Sequence, residues 1–79
     1  MATFGDLKKL HLDVLYSFAV FGMTEEGAER IRQLMREAGT AIMEEQGITD
    51  PKDAASLPED TILGEKAQTA MEAIEAMIQ

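Results

Sequence analysis

The chain has 79 residues, a formal charge of −8 and no cysteine, which leaves room for a single domain over 1–79 and excludes disulfides. A core this small buries only about 60% of the unfolded surface. With one histidine and no Cys/His pair at zinc-ligand spacing, association with another chain is the expected supplement.

The first helix is expected over about 4–21. Thr3 can cap it and Asp6 can answer three residues later, as a capping box requires, and Gly22 provides the stop. At 100° per residue Leu7, Leu10, Val14, Phe18 and Phe21 share one stripe, with Phe4, His11 and Leu15 along its edge. Leu12, Tyr16, Ala19 and Val20 form a second apolar set on nearly the opposite side. A helix that is apolar most of the way round faces two neighbours, and in a chain this short one of them is expected to be the third helix or another subunit.

The second helix is expected over 25–46. Thr24 caps it, and Glu25 and Glu26 occupy the first turn, where the helix dipole favours negative charge. Ala28, Ile31, Met35, Ala38 and Ile42 form its stripe, widened by Leu34 and Ala41. Met43 falls on the far side. Glu26 and Arg30 stand at i, i+4, and Gly47 followed by Ile48 resembles a Schellman stop. The short connection at 22–24 predicts that the first two helices are antiparallel neighbours.

Asp50 before Pro51 is an N-cap followed by proline at the first helical position, so a short helical turn is expected at 51–56. Ser56, Pro58 and Glu59 then signal a further start, and the third long helix is expected over 58–78 with Leu63, Ala67, Ala70, Met71, Ile74, Met77 and Ile78 on its stripe. Gly64 weakens its early part by up to ~1 kcal/mol relative to alanine. No stretch alternates with period two, so no sheet is expected. The fold class is all-α, a three-helix bundle.

The run "LHLDVLYSFAVFGM" at 10–23 is too short to span a bilayer, which takes about 20 residues, and His11 and Asp13 interrupt it. The N-terminus lacks the pattern of a secretory signal, so a cytoplasmic protein without a membrane partner is expected. Residues 1–43 hold six acids and five bases, net −1, whereas residues 44–79 hold nine acids against Lys52 and Lys66, net −7. That balance disfavours direct nucleic-acid binding, which rests on phosphate neutralisation.

No phosphate-cradling glycine loop, nucleophile elbow or His-Glu-x-x-His motif occurs. A triad written from Ser17, His11 and Asp13 would point its members in different directions around one helix. His11 as a metal ligand or pH switch competes with His11 as a boundary residue bonded to a carbonyl or water. A metal site would need symmetry-related copies in an oligomer, because a lone histidine has no second nitrogen ligand to share a metal. The six methionines suit adaptable packing or a permissive partner groove.

The sequence therefore points to a non-enzymatic helical interaction or assembly module with no cofactor that self-associates through Leu12, Tyr16, Ala19, Val20 and Met23, its partner being a second copy or another protein. A second reading, of a different class, is an acidic inhibitor or nucleic-acid mimic of the kind viruses use. It would engage a basic partner surface through Glu59, Asp60, Glu65, Glu72 and Glu75. In its short, acidic, helical character the chain is similar in kind to many small proteins of bacteria and their phages, and no stretch is specific enough to carry residues over.

Overall fold

A computed structural model describes residues 1–78 as four helices: α1 (Phe4–Phe21), α2 (Glu25–Gln46), α3 (Pro51–Ala55) and α4 (Glu65–Ile78). The helix ends follow the punctuation of the sequence. Thr3 Oγ1 accepts from the Asp6 backbone N–H at 3.3 Å while the Thr3 N–H donates to Asp6 Oδ2 at 2.9 Å, which completes the capping box. Thr24 Oγ1 accepts from the Gly27 N–H at 3.1 Å, and Asp50 Oδ1 accepts from the Lys52 N–H at 3.0 Å. Gly47 takes the left-handed conformation, φ 67° and ψ 32°, that a side chain would strain. Its N–H donates to the Glu44 carbonyl and the Ile48 N–H to the Met43 carbonyl, the paired bonds of a Schellman stop.

The last long helix begins at Glu65, not at Pro58. Locally, Ser56, Pro58 and Glu59 read as a start; in three dimensions their neighbourhood is used otherwise. Ser56 closes α3, its hydroxyl donating to the Lys52 carbonyl. Pro58 to Thr61 form a turn, and the chain then runs extended beside the N-terminus through an isolated antiparallel bridge between Thr3 and Ile62. The Phe4 N–H donates to the Thr61 carbonyl at 2.8 Å, the Gly5 N–H to the Glu59 carbonyl at 2.9 Å and the Leu63 N–H to the Ala2 carbonyl at 3.0 Å. A helix over 58–64 would spend those carbonyls internally and leave the first turn of α1 with unsatisfied N–H groups.

α4 is capped from another helix. The Glu45 carboxylate, reaching across from the end of α2, accepts from the Gly64 N–H at 2.9 Å and from the Ala67 N–H at 3.4 Å. With Gly64 as N-cap these are the two donors that a capping box satisfies, here met by one side chain of a different helix. A Cβ on Gly64 would fall on that carboxylate, so the glycine makes the approach possible.

The core is wholly apolar: Phe4, Leu10, Val14, Ile31, Leu34, Ala41, Ile42, Leu63, Ala67, Met71 and Ile74 form one buried cluster. Its main seam runs between α2 and α4, where Ile31 and Ile74 are each 1% exposed. The overall length of 35 Å matches the roughly 33 Å of a 22-residue helix, so α2 is the long axis of the molecule. α1 joins this pair through side chains. Its backbone comes close to α4, but no Cα of α1 lies within 8 Å of one in α2, so the two helices joined by the short connection are spaced by side chains and a cleft.

Two stripe residues lie outside the core. Phe21 is 83% exposed, because no other described element extends over the last turn of α1, and Met77 at the end of α4 is also exposed. Met43, expected on the far side of α2, is half-buried. The expected Glu26–Arg30 pair is absent among the described residues: Glu29 instead engages Arg32 at 3.0 Å and Arg36 at 3.7 Å.

Candidate functional site

The outward surface of α1 collects the apolar side chains that the core does not use. Leu12 is 65% exposed and Tyr16 70%, with Ala19 and Val20 exposed beside them. Four of the five residues expected to form an association face therefore lie together on one open surface. Leu15, which the periodicity places at the edge of the core stripe, is 54% exposed and widens that face. Met23 does not belong to it. The connection at 22–24 turns Met23 back over Gly27, where its side chain is half-buried against the core.

The position of this face follows from the packing of α1. Phe4, Leu10 and Val14 are committed inward, and residues 12, 16, 19 and 20 face away from them at helical spacing. In the N-terminal half the corresponding outward positions are Lys8 and Lys9, with Asp13 next to Leu12, so charged residues border the apolar surface on one side. Tyr16 also lines a depression toward α4 that includes Asp13, Ser17 and Glu75. A large aromatic with a polar tip at the centre of an apolar, charge-rimmed surface has the composition of a protein interface.

The five acidic residues of the second reading do not converge. Glu59 and Asp60 lie in the turn before α4, where Glu59 pairs with Lys8 at 3.6 Å. Glu65 sits in the first turn of α4 on the side of α2, while Glu75 is half-buried on the side of α1. Glu72 accepts a hydrogen bond from Gln68 on the solvent face. His11 is exposed, and among the described residues no three His, Cys, Asp or Glu side chains come together as a metal-ligand cluster. No polar side chain is buried among the described residues.

Among the described residues, no helix is long and apolar enough to cross a membrane. Comparison of the chain with protein-family models, with curated proteins and with solved structures gave no match.

Proposed function

We propose that this chain is a small, non-catalytic helical module that self-associates through the outward face of α1, with Leu12, Tyr16, Ala19 and Val20 at its centre and Leu15 at its margin. The observation that carries this reading is the cluster of large apolar side chains left open on one helix of a charged, otherwise ordinary surface.

The dispersed placement of Glu59, Asp60, Glu65, Glu72 and Glu75 gives the mimic reading no single surface to act through. It keeps those residues as a solubilising exterior, which suits a module whose one apolar face must find its own copy before it finds anything else.

Tyr16→Glu tests the proposal. A charged carboxylate at the centre of an apolar interface should cost at least 2 kcal/mol of association, about thirtyfold in Kd or more. Sedimentation velocity should show a smaller species at equal concentration, with an unchanged far-ultraviolet circular dichroism spectrum because Tyr16 supports nothing in the core. An oligomer of unaltered mass would contradict the proposed face.

A further inference from the structure

Where α1 stands away from α2, the space between them is open and apolar. A cavity of about 240 Å³ is walled by Leu7, Leu10 and Val14 of α1 and by Met35 and Gly39 of α2. Ala54 and Ala55 of α3 close one end. His11 is the one polar side chain on its wall among the described residues, so a water molecule inside would lack the partners it needs, and the space suits an apolar guest. At His11, Val14 and Met35 the cavity continues into a groove that ends at Phe18, Arg32 and Arg36. Along α2 the path from Ile42 to Arg32 is roughly 15 Å.

The charge at the two ends differs. The closed end is alanine and aliphatic. The open end carries two of the chain's three arginines, and these share a single carboxylate, Glu29. Two exposed guanidiniums therefore share one carboxylate at the mouth of an apolar channel, a local excess of positive charge in a chain whose net charge is −8.

We infer that this channel binds a free, single-chain amphiphile with a carboxylate head, its hydrocarbon tail in the cavity between α1, α2 and α3 and its head at Arg32 and Arg36. The site is separate from the outward face of α1, sharing only Leu15 with it, so neither proposal depends on the other. An extended chain of about the length of dodecanoate matches the roughly 15 Å along α2 from Ile42 to Arg32. Specificity for the head comes from Arg rather than Lys, whose planar fork matches a carboxylate.

The test is calorimetric titration of the full chain with dodecanoate, dodecanol and dodecylammonium below their aggregation concentrations, with backbone amide NMR shifts to locate the contact. Dodecanoate should bind at one per chain, dodecanol more weakly and dodecylammonium weakest, and the shifts should cluster at residues 32–42, 54–55 and 7–18. Gly39→Leu is the decisive variant. A Cβ at Gly39 meets no atom within 4 Å and Gly39 lines the cavity, so a leucine there should fill it and abolish binding while the far-ultraviolet circular dichroism spectrum is kept. Arg32→Gln with Arg36→Gln should weaken dodecanoate three- to tenfold, the range for exposed ion pairs, and leave dodecanol unchanged. Absence of dodecanoate binding, binding that survives Gly39→Leu, or a preference for dodecylammonium would each overturn the inference. Cosedimentation with phosphatidylglycerol vesicles in place of binding to the free acid would also overturn it, by assigning the face to a membrane surface.

Discussion

The contact between Glu45 and Gly64 makes an experiment whose sign differs from that of helix propensity. Taken alone, Gly64→Ala removes backbone freedom from the unfolded chain and should stabilise by about 0.4–1 kcal/mol. In the structure the new methyl group would displace the Glu45 carboxylate from the Gly64 and Ala67 N–H groups. Losing an N-cap costs about 1 kcal/mol, within a range of about 0.5–2, and losing a negative charge at the helix N-terminus about 0.3–1 kcal/mol more. Glu45 is exposed, which places the combined loss for Glu45→Ala near the lower end, about 1–1.5 kcal/mol. Gly64→Ala should therefore destabilise by up to about 1 kcal/mol in place of stabilising, and Glu45→Gln, which keeps an acceptor and loses the charge, by about half a kcal/mol. The double variant has lost the same cap only once and keeps the gain of the alanine, so it should match Gly64→Ala and be less destabilised than Glu45→Ala, a coupling of about 1–1.5 kcal/mol. Urea unfolding followed by circular dichroism reads these differences through the midpoint at constant m. Additive losses within about 0.3 kcal/mol, or a stabilised Gly64→Ala, would refute the account of how α4 is capped.

Three further outcomes are expected. Thr3→Ala removes the acceptor for the Asp6 N–H and should lower stability by about 1 kcal/mol, a fall of roughly 4–8 °C in the thermal midpoint. Gly47→Ala places a side chain at φ 67° and should cost about 1–2 kcal/mol in urea unfolding, with asparagine at the same position costing less. Ile74→Ala, at a side chain 1% exposed, should cost about 2–5 kcal/mol and leave the chain marginally folded, whereas Phe21→Ser, at 83% exposure, should change the stability of a dilute sample by less than about 0.5 kcal/mol.

The pair Ile74 and Phe21 also marks the extent of what periodicity reveals. Both fall on apolar stripes, and periodicity gives the direction of a side chain but not whether anything stands opposite it. Along α2 the stripe Ala28, Ile31, Ala38 and Ile42 is buried because α4 runs beside it, while Met35 of the same stripe is half-buried at the cleft toward α1. At Phe21 no described element is present to complete the core. Capping signals within four residues, at Thr3, Thr24, Asp50 and Gly47, were legible because donor and acceptor are close in sequence. The start of α4 was not, since Glu45 lies 19 residues before the N–H it satisfies and the segment 58–63 takes its partners from residues 2–5.

The candidate site was legible for a related reason. Leu12, Tyr16, Ala19 and Val20 are apolar positions left over after the core stripe of the same helix is assigned, and a helix has room for only one such stripe against a small core. Met23 could not be placed by this argument because it lies beyond the helix, where a glycine with φ 72° sets the chain direction. The channel between α1 and α2 depends on the absence of side-chain volume at Gly39, Ala54 and Ala55 combined with the spacing of two helices, and no single segment encodes it.

Self-association through the outward face of α1 is read from the native mass in solution. Static light scattering across a tenfold range of concentration, at low and at high salt, should give a dimer or larger assembly whose mass is retained as salt rises, because apolar burial is not screened. A mass near 8.7 kDa at every concentration and both salts would contradict self-association.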